Sequence, residues 1–209
     1  MSLSNPVPIT KERDTASFDC GVEPLNEYLR WHALLNHQNR SSRTYVAVRA
    51  DRIVGYYTRA NGSVSLDEVP ARVGQGLGKY PVPITLLARL DVDISEKGKG
   101  LGRGLLKDAV LRAYQASDLV GSRAIVTHAK DETAKSFYQR FQFVPSPLNE
   151  LHLYLLMKDI RGLWSINGEP SAIPLVLTFQ TCFRVLRVSS LFFCLLPSSP
   201  LPKAPPAVS

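Results

Sequence analysis

Cysteine is scarce in this 209-residue chain: there are three, Cys20, Cys182 and Cys194, an odd number with no C-x-x-C spacing. That argues against a disulfide framework and suggests a reducing compartment. The four histidines, His32, His37, His128 and His152, fall at no metal-ligand spacing, so no metal site is expected. The first residues, Met1 to Thr10, lack the basic-then-apolar order of a secretory signal, and the protein is expected to stay in the cytoplasm. A long apolar run is missing too. The most apolar stretch, residues 173–196, is broken by Pro174, Gln180, Arg184, Arg187 and the pair Ser189-Ser190. A membrane-spanning helix wants about 20 uninterrupted apolar residues, so no membrane partner is expected. Acidic residues are the minority charge, 18 against 25 Lys and Arg, for a net charge of +7. Residues 1–160 hold 21 basic and 17 acidic residues. So mild an excess can serve an anionic cofactor, a nucleic acid or nothing but solubility, and by itself decides little.

The regular patterns lie before residue 160. Between Gly21 and Arg40 the apolar residues Leu25, Tyr28, Leu29 and Leu35 recur at helical spacing, and Pro24 suits a first turn. Residues 44–48 and 53–57 flank Ala50-Asp51-Arg52 as an antiparallel hairpin, and a third strand is predicted over 60–66. Residues 67–83 contain Pro70, Gly74, Gly76, Gly78, Pro81 and Pro83, which predicts a long surface loop. Residues 84–92 read as a buried strand. A helix follows, with Leu101, Leu105, Leu106, Ala109, Val110 and Ala113 as its apolar face. Residues 124–128 then form a strand, 131–141 a helix opened by Asp131, and 151–157 a last strand. Helix, three strands, then βαβαβ is an α/β chain with one mixed sheet flanked by helices. Residues 1–160 are expected to be one domain, and the Ser- and Pro-rich stretch 161–209 an irregular tail outside it.

The chemistry concentrates in the loop between the buried strand and its helix. Gly98, Gly100, Gly102 and Gly104 alternate there, and without Cβ atoms they let successive N–H groups turn inward around an anion. The helix start adds unpaired amides and a positive dipole end, and Lys97, Lys99 and Arg103 add full charges. A di- or triphosphate ligand fits that convergence. Two nucleotide motifs fail on spacing. Gly98-Lys99 is followed by Gly100 rather than Ser or Thr, and neither Gly98 nor Gly100 opens a G-x-G-x-x-G.

The stretch Lys97-Gly98-Lys99-Gly100-Leu101-Gly102 resembles the motif of the GNAT acetyltransferases: Arg or Gln, two residues, Gly, one residue, then Gly or Ala. Only the first position departs, where Lys keeps the charge but loses the planar fork. The resemblance implies acetyl-coenzyme A as acyl donor. It also implies a sheet splayed beside the preceding strand, where Leu90, Asp91 and Val92 would bind the pantetheine arm. A narrower likeness covers roughly residues 18–159. Phe18-Asp19-Cys20-Gly21, Glu23-Pro24-Leu25-Asn26, Ser42-Arg43-Thr44, Ala88-Arg89-Leu90-Asp91-Val92-Asp93 and His128 with Ala134-Lys135-Ser136-Phe137-Tyr138 resemble the bacterial GNAT toxins of the TacT and AtaT kind. Such toxins acetylate the free α-amino group of aminoacyl-tRNA, block translation and are neutralised by a ribbon-helix-helix antitoxin. Aminoacyl-tRNA, that antitoxin and a second copy of the chain are the partners implied. Asp91 departs from the pattern, in which Ala is more usual, and puts a carboxylate beside the acyl group.

By the same resemblance Tyr138 is the candidate acid for the departing thiolate; packing beside Phe137 and Phe141 is the rival reading of that side chain. An α-amino group, with a reference pKa of about 7.7–8.0, needs less help from a base than a lysine near 10.4. Only Asp67 and Glu68 offer themselves as such a base in this part of the chain, which favours an α-amine acceptor. For tRNA phosphates the candidate contacts are Arg30, Arg40, Arg43, Arg72, Lys79 and Arg89. Two alternatives stay open: a GNAT enzyme acting on a small or protein amine, and a non-catalytic coenzyme-binding or antitoxin-binding module.

Overall fold

The computed structural model describes residues 3–163, and the rest of the expected tail lies outside the described residues. In chain order the elements are β1 (Val7–Pro8), α1 (Glu23–Glu27), a π-helical turn (Tyr28–His32), α2 (Ala33–Gln38), β2 (Arg43–Arg49), β3 (Arg52–Val64) and α3 (Ala71–Gly74). Then come β4 (Val82–Val92), α4 (Leu101–Val120), β5 (Ala124–His128), α5 (Glu132–Gln139), β6 (Val144–Pro145), β7 (His152–Leu156) and α6 (Ile160–Leu163). The strands form one sheet in the order β1-β2-β3-β4-β5-β7-β6. Every neighbouring pair is antiparallel except β4 and β5. Parallel pairing there demands a crossover, and α4 supplies it.

The hairpin at residues 50–52 forms as the sequence indicates, with Ala50 and Asp51 in the left-handed region at φ 51° and 58°. The strand predicted at 53–57 and the one at 60–66 are instead a single 13-residue strand, β3. Asn61-Gly62 reads locally as a breaker, but β4 pairs with β3 from Val64↔Val82 back to Gly55↔Val92 and carries it through. The segment 67–83 is likewise less open than its composition implies. It folds α3 against the sheet and buries Val69 and Val73 with Val82, Ile84, Val126 and Tyr154. The two-residue edge strands β1 and β6 had no local signal.

Two helical layers cover the sheet. On one face all six apolar positions of α4 are buried, packed with Leu87, Val92, Ile125, Leu153 and Leu155 and with Tyr138 from α5. On the other face Tyr28, Leu29 and Ala33 pack on Val46, Val48, Ile53 and Tyr56, with Phe18 and Cys20 beneath them. The π turn inserts a change of phase between α1 and α2, and it leaves Trp31 and Leu35 pointing to solvent at 72% and 59% exposure.

The height of α4 over the sheet is set at Gly55 of β3. A Cβ there would stand 2.9 Å from Leu105 Cδ1, 3.2 Å from Leu101 Cδ2 and 3.3 Å from the Asp91 carbonyl oxygen. The Asp91 carbonyl belongs to the backbone of β4 and cannot rotate away, so the strain falls on the first turns of α4. Gly55→Ala is therefore expected to cost about 1–3 kcal/mol and to lower the melting temperature by several degrees. Because those turns carry the glycine loop, it should also raise the KM for the phosphate-bearing ligand. A variant with unchanged melting temperature and KM would show that α4 is free to lift.

Candidate active site

Pairing between β4 and β5 begins at Ile84↔Ala124 and ends at Leu87↔Thr127, although β4 continues to Val92. Two features enforce that stop. Ala88 has no partner on β3, since Thr58 faces Arg89 and Arg59 faces Leu87, so β4 bulges there and twists off its course. Thr127 Oγ1 meanwhile donates to the Leu87 carbonyl at 3.1 Å and closes the end of the ladder. Beyond it the two strands diverge, and the β4 backbone groups of residues 88–92 that point away from β3 have no strand to meet. Leu90, Asp91 and Val92 lie along that opening, with the Asp91 carboxylate accepting from the Val92 N–H at 2.7 Å.

Tyr138 reaches the same opening from α5. Asp131 caps this helix by accepting from the Ala134 amide at 2.7 Å, as its sequence position suggests. The Tyr138 ring packs edge-on against Phe137 at 5.2 Å and against Phe143 at 5.5 Å, leaving 7% of the residue exposed. Burial, seconded by the Asp91 charge and partly offset by a hydrogen bond with Thr127, pushes its phenol up to about 12. The hydroxyl is thus protonated throughout the physiological range.

At the far end of β4 the glycine loop takes the form an anion requires. Gly98 and Gly100 have φ 78° and 84°, and a Cβ on either would meet only open space, so their conformation and not crowding selects glycine. The first bond of α4 runs from the Gly104 amide to the Gly100 carbonyl, which leaves the amides of Leu101, Gly102 and Arg103 without intrahelical partners. This cradle fits a diphosphate. Gly102 lies 3.7 Å, measured from a built Cβ, from Val92, so the cradle and the opening are contiguous. The lysines contribute less than their positions suggest. Lys97 Nζ donates to the Cys20 carbonyl at 2.6 Å, and Lys99 pairs with Glu96 at 3.5 Å. Arg103 is exposed and makes no ion pair among the described residues.

A buried carboxylate not apparent from the sequence holds this end together. Asp93 is 1% exposed and accepts from the Asp19 amide (3.1 Å), the Ser95 amide (3.0 Å) and hydroxyl (2.6 Å), and Arg52 (2.7 Å). Burial alone would raise its pKa, but the Ser95 and Asp19 hydrogen bonds and the Arg52 charge outweigh it and hold the group below the ordinary carboxylate value. The neighbouring motif is tied in the same way. Asn26 donates to Asp19 Oδ1 and accepts from the Cys20 amide, both at 2.9 Å. The Cys20 thiol, pushed up by burial and by Asp91, is inert packing.

The basic candidates separate in space. Arg30 pairs with Glu23 at 2.9 Å and Arg72 with Asp159 through two bonds of 2.7 and 2.8 Å. Arg89 stacks its guanidinium over the Tyr28 ring at 3.6 Å. Arg40 lies in the turn after α2, Arg43 begins β2, and Lys79 is exposed in the loop before β4. His37 Nδ1 accepts from the Thr44 amide, and His128 stacks on His152 at 3.9 Å. Among the described residues no group of His, Cys, Asp or Glu could hold a metal ion, and no helix is long and apolar enough to cross a membrane.

A mixed sheet opened beside β4, with an anion cradle on the helix that follows, is the GNAT fold of acetyl-CoA-dependent acyltransferases. No family model matches the chain. Over 160 residues it is 47% identical to a tRNA-acetylating toxin of Mycobacterium tuberculosis, covering 77% of this chain and 96% of that protein. A Tyr-to-Phe variant of KacT superposes with a TM-score of 0.72 at 30% identity, covering 78% of this chain and all of that one (100%). AtaT complexed with acetyl-methionyl-tRNAfMet gives 0.72 at 29% identity over 78% and 99% of the two chains. A Tyr-to-Phe variant of AtaT, bound to the C-terminus of the antitoxin AtaR and acetyl-CoA, gives 0.66 at 29% over 79% and 99%. The chain belongs to the family of tRNA-acetylating toxins.

The Asp93 junction gives a pH test. Its pKa is lowered in the folded state, so its contribution to stability is complete above the unfolded value of about 3.9 and is lost as pH falls through that value toward the folded one. Asp93→Asn should cost about 1.5–3 kcal/mol at pH 7 and flatten the decline in melting temperature between pH 6 and pH 3. Parallel declines for the two proteins would remove Asp93 from the account.

Proposed function

We propose that this chain transfers the acetyl group of acetyl-CoA to the α-amino group of the amino acid carried by tRNA, and so blocks translation. The observation that carries the reading is the opening between β4 and β5, with Tyr138 over it, in a chain 47% identical to a tRNA-acetylating toxin. A complex of AtaT with acetyl-methionyl-tRNAfMet supports an aminoacyl ester over a small or protein amine as acceptor.

In this scheme the backbone of Leu90, Asp91 and Val92 holds the pantetheine arm, and the loop from Lys97 to Arg103 holds the diphosphate, chiefly through the amides of α4's first turn. The bound donor supplies an acetyl group activated as a thioester. Tyr138 Oη holds a proton within the opening and donates it as a hydrogen bond to the sulfur. Burial keeps that proton on the phenol at neutral pH, so the hydroxyl is available as the donor. Asp91 puts one negative charge at the opening and draws the amine toward it. An α-amine near its reference pKa of about 7.7–8.0 is partly neutral already and needs no strong base. Residence in the cytoplasm, with a second copy of the chain and a ribbon-helix-helix antitoxin as protein partners, completes the proposal.

Incubation with labelled acetyl-CoA and total charged tRNA should place the label on the amino acid of one or a few aminoacyl-tRNAs. Label confined to protein lysines would refute the substrate. Tyr138→Phe should lower kcat by about 100-fold or more with little change in the KM for acetyl-CoA; full activity at saturating donor would deny Tyr138 the role of acid.

A further inference from the structure

The sheet ends, on the side away from the glycine loop, in a groove of about 230 Å³ whose lining includes Arg40, Ser42, Arg43, Arg59 and Asn61. Three arginines meet there without a carboxylate among the lining residues, and none of the three makes an ion pair among the described residues. Arg43 and Arg59 are directly opposite each other across β2 and β3, a placement in which like charges repel. The partners they do have are neutral. Arg43 donates to the His37 carbonyl at 3.4 Å, Arg59 lies over the Tyr45 ring at 5.6 Å, and the Nε of Arg59 is buried without a hydrogen-bond partner. The last turn of α4 borders the groove with Ala116 and Val120 and offers only the partial negative end of its dipole. Arg30, Arg52, Arg72 and Arg112, by contrast, each have an acid within 3 Å.

We infer that this groove is a phosphodiester clamp for the RNA backbone of the acceptor, built by Arg40, Arg43 and Arg59. The inference rests on the proposed acetylation of aminoacyl-tRNA. It replaces a diffuse basic surface with one defined grip and adds Arg59, which no local pattern distinguishes. The groove leads toward the reaction site. Ser42 lines it and lies 3.3 Å from the Tyr28 hydroxyl, and Tyr28 carries the Arg89 guanidinium on its ring. Arg89 is in register with Thr58, the residue before Arg59, at the bulge where β4 leaves β5. The groove lies on the α4 face of the sheet and Tyr28 on the other, so a polyanion engaged at the groove reaches the opening by passing round the end of the sheet at Ser42. An acidic peptide would meet the same charges, but not the reactive end that the opening demands.

The test compares the full-length wild type with Arg40→Gln/Arg43→Gln/Arg59→Gln, measuring binding of deacylated total tRNA across salt concentrations and acetylation of charged tRNA. The variant should bind about tenfold more weakly at low salt, and the slope of log K against log salt should flatten by about 0.7–0.9 for each phosphate that the arginines no longer neutralise. Its KM for charged tRNA should rise far more than its kcat falls. Relief of the Arg43–Arg59 repulsion predicts a melting temperature equal to or above that of the wild type. Unchanged affinity and slope would overturn the clamp. A melting temperature several degrees lower would also overturn it, by showing that the arginines serve an internal role in the fold. The parent reading fails separately, if the wild type acetylates no charged tRNA at all.

Discussion

Everything that this protein offers a substrate depends on two strands parting company. A parallel pair that kept its ladder to the end would leave no backbone donors or acceptors for a ligand and no room for a side chain from α5. Here the bulge at Ala88 rotates β4 out of register with its path, and the Thr127 hydroxyl terminates the ladder by satisfying the Leu87 carbonyl. The unpaired edge that results would be a liability on an exposed strand, because open N–H and C=O groups invite any other strand to join. In the centre of a sheet, covered by α4 and α5, it is protected from that fate.

An opening of this kind has to be braced, since the hydrogen bonds that would have held it are missing. The brace is electrostatic on one side and steric on the other. Asp93 collects four donors from three parts of the chain, and Lys97 reaches back to the Cys20 carbonyl, so the segment around Asp19 and Cys20 is bonded to the end of β4 and to the glycine loop. Gly55 lets α4 settle against β3 at a height that a methyl group would prevent. The motif that includes Asp19 and Asn26 thus acts on the site through its supports.

The sequence was most readable where function and local conformation require the same residues. The glycines at 98 and 100 adopt the left-handed backbone that only glycine accepts easily, and the six apolar positions of α4 and the Asp131 cap stand where periodicity puts them. Legibility failed where the deciding partner is remote. Asn61-Gly62 is extended because β4 pairs with it, and the folding of α3 onto the sheet depends on packing with β4, β5 and β7. The charged residues show this most clearly. Arg72 resembled Arg40 and Arg43 in the sequence, yet Asp159, 87 residues away, neutralises it, while Arg59 attracted no notice and stands unopposed. Lys97 fits the motif by type, but its ammonium serves the fold.

The unbroken length of β3 turns the strand into a measuring rod. Tyr56 lies across from Asp91 at the opening, and Arg59 lies in the basic groove three residues further along. At about 3.3 Å per residue the two stations are about 10 Å apart along the strand, but they face opposite sides of the sheet, Tyr56 toward Tyr28 and Arg59 toward Tyr45 and α4. An acceptor can occupy both only if it is long enough to pass round the end of the sheet. An RNA chain that carries its amino acid has that length, and a free amino acid or a lysine side chain has no second group to offer. Selection of the acceptor can thus be geometric, set by a span in a rigid strand, before any base or side chain of the substrate is read.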